Sequence, residues 1–196
     1  RKYLGKTIDI HAGGADLLFP HHENEIAQSE CANGCKFVNY WLHNGFVTIN
    51  KEKMSKSLGN FLTIDDMLKN YDANTLRLFI LTNHYRMPVE FSDEALTAAQ
   101  AGAKRLTNAK QTPINENLDI TTTDEYKSFV DAMDDDLNTS KALAVLFDLA
   151  TRANKGETDA YTILYKLGST LGFTFEKASL SEDEISKAIS HVSEVL

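Results

Sequence analysis

Residues 7–30 read TIDIHAGGADLLFPHHENEIAQSE, and three kinds of local structure follow one another within them. Thr7 to Ile10 is a short β-rich run that breaks into the loop His11-Ala-Gly-Gly-Ala-Asp16. Pro20 suits the first helical position, where its missing N–H would have no intrahelical partner anyway, so a helix is predicted from about Pro20 to Cys31. Gly34 can end it by taking the left-handed conformation. Strand, glycine loop and helix in this order open an α/β unit.

Downstream, Phe37 to Ile49 is a second β-rich stretch. Asn44-Gly45 within it is a hairpin signal, and Asn50-Lys51-Glu52 is a competing turn that leaves a longer unbroken apolar strand and is therefore preferred. From Thr63 the period becomes helical. Thr63 and Asp66 resemble a capping box, and Leu76, Phe79, Ile80 and Asn83 keep helical spacing until Pro88 forces a stop. Ser92, Asp93 and Glu94 start another helix, reaching about Lys110. The polar, aperiodic QTPINENLDITTT (111–123) reads as a linker, and helices are predicted beyond it at about 124–135, 139–155, 158–171 and 182–195. The fold class is thus α/β followed by an all-α helical module, mostly helical overall.

The 196 residues are 42% apolar, enough for a core, and carry a net charge of −8. That charge is uneven: residues 1–110 hold 13 basic and 12 acidic side chains, residues 111–196 hold 7 and 16. An acidic total argues against coating nucleic acid through bulk charge, while leaving room for a local, directed contact. No apolar run approaches the roughly 20 residues of a membrane-spanning helix, and RKYLGKTIDI has no secretory character, so no membrane association and a cytoplasmic location are expected. Two cysteines, Cys31 and Cys35, are too few for a disulfide scaffold. A chain opening without Met is expected to begin inside a longer protein.

Three segments can carry chemistry. In His11-Ala-Gly13-Gly14-Ala-Asp16 bare backbone can approach a ligand and Asp16 can accept from a ribose hydroxyl, although a tight turn needing positive φ is, for the loop by itself, the favoured account of the glycines. In Pro20-His21-His22-Glu23-Asn24-Glu25, His21 and Glu25 are i and i+4 and could converge on one zinc ion, or form an ordinary surface pair. Cys31 lies ten residues from His21, about 15 Å along a helix axis, so the two cysteines are read as ordinary thiols. In KEKMSKSLGN (51–60), Lys53 and Lys56 flank Met54 and Ser55 in a cationic finger suited to a triphosphate, against the plainer reading of a charged turn.

The string KMSKS at Lys53 to Ser57 resembles the nucleotide signature of class I aminoacyl-tRNA synthetases, and DIHAGGADLLFPHHENEIAQSE resembles the corresponding segment of cysteinyl-tRNA synthetases. NTLRLFILTNHYRMPVEFS and AMDDDLNTSKALAVLF look like the helical region that follows the catalytic domain in that family. The resemblance implies a partial Rossmann-like parallel sheet ending in the KMSKS loop at 1–62, a stem-contact helical module at 63–110, the linker at 111–123 and part of a helical bundle at 124–196. It also implies ATP-dependent activation of L-cysteine, with Mg2+ accompanying ATP, and transfer to tRNA(Cys) by a parent enzyme that is a monomer.

The family's zinc ion (Zn2+) is held by two cysteines, a histidine and a glutamate, and the last two fall on His21 and Glu25. The cysteine ligands and the family's HIGH motif belong upstream of Arg1, so the chain taken alone is expected to be inactive. A parallel sheet cut upstream would expose strand edges and apolar faces, so an isolated fragment is expected to be marginally stable or to self-associate. Lys53 and Lys56 carry over as the catalytic lysines. Gly13, Gly14 and Asp16 carry over as adenosine contacts, His11 as facing the amino-acid pocket, and Phe46 and Val47 as backbone readers of adenine. His22 and Glu23 are expected beside the ligands; Ser55 and Ser57 are expected to donate to phosphate or to cap the next helix. Tyr40 and Trp41 are read as core aromatics. Arg86, with His84 and Tyr85, and Lys104, Arg105 and Lys110 fall where the family meets the acceptor stem, or form a solvated face. Asp134-Asp135-Asp136 caps a helix or meets basic neighbours. Two rival readings are a mycothiol-pathway cysteine ligase, against which AMDDDLNTSKALAVLF argues, and a non-catalytic module that binds tRNA or a partner.

Overall fold

A computed structural model describes residues 2–49, 52–53 and 63–175; the predicted helix at 182–195 and Lys56 with its flanking serines lie outside the described residues. Strands β1 (Ile8–Gly14) and β2 (Val38–Asn44) pair in parallel, with Ile8 opposite Val38 and Gly14 opposite Asn44. Their crossover carries helix α1 (Glu23–Asn33). α1 starts three residues later than predicted because a π-helical turn, Leu18–His22, precedes it, in which Phe19, immediately before Pro20, takes an extended backbone (φ −138°, ψ 132°), as a residue preceding proline prefers. It ends as expected, on left-handed Gly34 (φ 65°), whose N–H donates to the Glu30 carbonyl at 2.7 Å.

The glycine segment is not a loop. β1 runs through it to Gly14, and neither Gly13 nor Gly14 has positive φ. What Gly13 provides is space: a Cβ there would lie 2.9 Å from His22 Cε1 and 3.0 Å from Leu17 Cδ1.

The second β-rich stretch is also interrupted. β2 stops at Asn44, and β3 (Val47–Ile49) belongs to another sheet, central between antiparallel β4 (Glu52–Lys53) and parallel β5 (Val89–Phe91). β3 and β4 pair with Ile49 opposite Glu52, but the unbroken strand is not formed; Asn50 and Lys51 of the preferred turn lie outside the described residues. At the break the Gly45 N–H donates to the Tyr85 carbonyl at 2.8 Å, and any Cβ on Gly45 would drive into the Met87 carbonyl.

Helix α2 (Ile64–Leu68) is capped by Thr63, whose hydroxyl accepts from the Asp66 N–H and donates to its carboxylate. Asp72 then caps a separate helix, α3 (Ala73–Leu81). Ser92 caps α4 (Asp93–Thr107), Thr123 caps α5 (Asp124–Asp134) and Asn138 caps α6 (Thr139–Asn154), which is followed by α7 (Ala160–Thr170).

One core runs across both helical stretches: Leu78 and Leu106 are buried with Phe129, Leu146, Leu164 and Phe173. The polar segment 111–123 is drawn onto it, with Ile114 and Leu118 packed inward and the Asn115 N–H donating to Thr162 Oγ1. Far from this in sequence, Asn74 and Thr174 exchange hydrogen bonds in both directions, Nδ2 to the Thr174 carbonyl at 2.9 Å and the Thr174 N–H to Oδ1 at 3.0 Å. No described helix is long and apolar enough to cross a membrane.

Arg152, near the end of α6, joins Glu125 of α5 to Glu157 beyond its own helix. Its guanidinium holds the Glu125 carboxyl below the ordinary glutamate value, against an opposing push from burial. A depressed folded-state pKa means stability that is present above the unfolded glutamate value and lost as pH falls through the folded one. Arg152→Met is therefore expected to lower stability by about 1–3 kcal/mol at pH 7, and the difference from wild type should shrink in thermal melts taken below about pH 4.5. A difference that stayed constant down to pH 3 would exclude this assignment.

Candidate functional site

Two i, i+2 patterns face each other across the parallel pair. His11 on β1 is opposite Trp41 on β2, and Trp41 shares its strand face with His43, the two rings lying parallel with centroids 6.1 Å apart. His22 comes over this face from the turn before α1, buried, its ring 4.9 Å from those of both His11 and Trp41. Glycine at position 13 is what permits that approach. His22 Nδ1 and His43 Nε2 are 2.8 Å apart, one donating and the other accepting. Burial first, and then the neighbouring His11, push the His22 pKa below the usual histidine value, so the ring is held neutral.

Glu25, in the first turn of α1, divides its carboxylate between two imidazoles. Oε2 is 2.7 Å from His11 Nε2 and Oε1 is 3.5 Å from His21 Nε2. The hydrogen bond from His11 lowers the Glu25 pKa, burial acting in the opposite sense. His21 and Glu25 thus lie on one side of the helix start, with the His21 side chain 59% exposed and Glu25 32%. Two atoms bound to one tetrahedral zinc ion at about 2.0–2.1 Å each are about 3.3–3.4 Å apart, so the His21–Glu25 separation of 3.5 Å fits a shared ion. His11 then occupies the position of the group that orients a carboxylate ligand. His11, His22 and Glu25 also form a tight cluster, their ligand atoms all within 4.8 Å.

The remaining predicted residues are more scattered. Gly13 and Gly14 end β1 beside His22, and Asp16 follows in a short 3-10 turn, Ala15–Leu17. Val47 lines a cavity of about 610 Å³ whose walls are mostly apolar, including Ile64, Leu68, Ile80 and Phe91, and which no member of the histidine cluster borders. The Phe46 carbonyl accepts from the Val89 N–H at 2.8 Å. Lys53 ends β4, opposite Thr48. Cys31 is exposed and both cysteines are free thiols.

Two expectations need correction. Tyr40 is not a core aromatic: it is 70% exposed, because its strand turns Trp41, not Tyr40, toward the histidines. Arg86 does not stand on a helix face: it lies in the loop between α3 and β5, half exposed, and its guanidinium makes a two-pronged pair with Asp136, at 2.6 and 3.2 Å. Asp136 thereby meets a basic neighbour, as does Asp135 with Lys141. His43 was missed altogether; its alternation with Trp41 on a strand next to β1 was the available signal.

A family model described as the tRNA synthetases class I (C) catalytic domain matches residues 1–101, over half of the chain. The chain belongs to this family. A DALR domain model matches residues 128–176. Among curated relatives, a cysteine--tRNA ligase of Shouchella clausii is 46% identical over 212 residues, covering 96% of this chain and 46% of the relative. One of Pelobacter propionicus is 51% identical over 175 residues, covering 79% and 36%. The chain thus spans less than half the length of these relatives. A methionyl-tRNA synthetase structure from Mycobacterium tuberculosis, bound by methionyl-adenylate, superposes with a TM-score of 0.51 at 14% identity, covering 82% of this chain and 39% of that one, which is a likeness of fold. The resemblance to cysteinyl-tRNA synthetases and the α/β-then-helical fold class are borne out.

Proposed function

We propose that the full-length protein, in the cytoplasm, activates L-cysteine with ATP and transfers the cysteinyl group to tRNA(Cys). The observation that carries this is the shared Glu25 carboxylate, one oxygen toward His21 and the other fixed by His11, in a chain of the class I (C) family.

His21 Nε2 and Glu25 Oε1 would hold zinc, which when bound supplies a strong preference for a thiolate over a neutral hydroxyl and so separates cysteine from serine. A purely apolar pocket could not distinguish such near-isosteres by a large factor. His11 keeps the carboxylate aimed by occupying its second oxygen. His22, neutral and tied to His43, closes the floor of the site without adding a positive charge beside the ligands. In the activation step a substrate carboxylate oxygen bonds to the α-phosphorus as the bond to pyrophosphate breaks, and negative charge gathers on the departing oxygens. Lys53 and Lys56 are assigned to neutralise it.

The test is cysteine-dependent exchange of pyrophosphate into ATP by the full-length protein, followed by acceptor trials with tRNA and with an amino sugar. Exchange together with tRNA charging is expected. Absence of exchange, or transfer to the sugar alone, would overturn the proposal.

A further inference from the structure

Asp136 sits where a strained turn meets a loop fifty residues earlier. Asp136 and its neighbour Leu137, between α5 and α6, have φ of 54° and 56°, in the left-handed region that side chains other than Gly, Asn and Asp seldom adopt. Asp136 is not needed as a helix cap, because Asn138 Oδ1 takes the Lys141 N–H. Instead its Oδ1 accepts from the Tyr85 hydroxyl at 2.8 Å and from Arg86 Nη2 at 3.2 Å, while Oδ2 accepts from Arg86 Nε at 2.6 Å. Beside it, the Ser140 hydroxyl donates to the Thr82 carbonyl at 2.7 Å and the Thr139 hydroxyl to that of Asn83 at 3.4 Å. The start of α6 therefore grips the loop after α3 at several points.

That loop is the other half of the joint at which the second sheet begins. The Tyr85 carbonyl receives the Gly45 N–H, and two residues beyond Met87 the Val89 N–H donates to Phe46. β5 then runs parallel to β3 with Val47 opposite Val89, and β3 carries β4, where Thr48 faces Lys53. Hydrogen bonds and the short stretches of chain between them connect the Asp136 carboxylate to the strand pair that bears the first lysine of KMSKS.

We infer that Asp136 is a positioning residue for activation, fixing through Tyr85 and Arg86 the loop from which β3 and β4 take their placement. The inference rests on the proposed function for its catalytic meaning, and on the contacts above for its structural one. A two-pronged carboxylate–guanidinium pair sets orientation as well as distance. Half-exposed pairs of this kind contribute little to global stability, the Arg86 side chain being 55% and that of Asp136 47% exposed, so the effect belongs to geometry and not to the melting point.

The experiment compares wild type, Asp136→Asn, Asp136→Glu and Tyr85→Phe in the full-length protein. The kcat of cysteine-dependent pyrophosphate exchange should fall about tenfold in Asp136→Asn and less in Tyr85→Phe, with KM for cysteine and the melting temperature near wild type. Asp136→Glu, which retains the carboxylate but strains the left-handed backbone at this position, should recover part of the kcat loss while lowering the melting temperature. Amide hydrogen exchange in β3 should quicken in Asp136→Asn while that in β1 does not. Unchanged β3 exchange overturns the inference whatever the protein activates, as does a loss of kcat that merely follows a loss of melting temperature. A quickened β3 in a protein whose wild type shows no cysteine-dependent exchange supports the structural coupling and overturns the proposed function instead.

Discussion

Glu25→Ala in the full-length protein should abolish stoichiometric zinc and raise the KM for cysteine by at least about a hundredfold, since even orienting partners of metal ligands are worth about 10–100-fold. The magnitude follows from the double duty of the carboxylate. Removing it deletes the oxygen 3.5 Å from His21 Nε2 and also strands His11, whose Nε2 lies 2.7 Å from the other oxygen. His11→Ala provides the graded comparison: both ligands remain but the carboxylate is free to swing, so a loss of about tenfold in zinc affinity is expected. Elemental analysis of zinc per chain and the ratio of cysteine to serine activation are the measurements. Full zinc content with unchanged selectivity in Glu25→Ala would remove His21 and Glu25 from the metal site.

Lys56→Ala should reduce the kcat of pyrophosphate exchange by a factor on the order of 10² to 10³, about 2.7–4 kcal/mol, by analogy with the removal of one fixed donor to a developing anion. The KM for ATP should move little, because the charge it neutralises appears on pyrophosphate only as the bond to the α-phosphorus breaks. Lys53, the final residue of β4, is placed by its pairing with Thr48, whereas Lys56 lies outside the described residues. Lys53→Ala is expected to act in the same direction and less severely. A Lys56→Ala enzyme with normal kcat and a raised KM for ATP would convert the finger from a rate device to a simple binding contact.

How much of this was readable from sequence varied with the distance between the partners. Caps declared themselves: Thr63, Ser92 and Gly34 act within three or four residues, and each does what its type predicts. The i, i+4 relation of His21 and Glu25 is equally local. The break at Gly45 is marked locally by Asn44-Gly45, but what enforces it over the longer strand, the carbonyl of Met87, is distant in sequence. β5 was overlooked for the same reason, being three residues long and defined only by its pairing with β3. Gly13 does not read as a strand residue because its need for a missing Cβ comes from an imidazole arriving from the next element, and not from the local backbone angles. Arg86 and Asp136, fifty positions apart, could only be joined in space.

The clasp between Asn74 and Thr174 spans a hundred positions and ties the beginning of α3 to the last turn of the described chain. During synthesis at about 5–20 residues per second, α3 waits some 5–20 s after leaving the ribosome before its partner exists. Phe79 packs early on Val89, Leu96 and Ala99, but Leu78 belongs to the core that runs on to Phe173 and Phe175, so that side of α3 is completed only as the last of these residues is made.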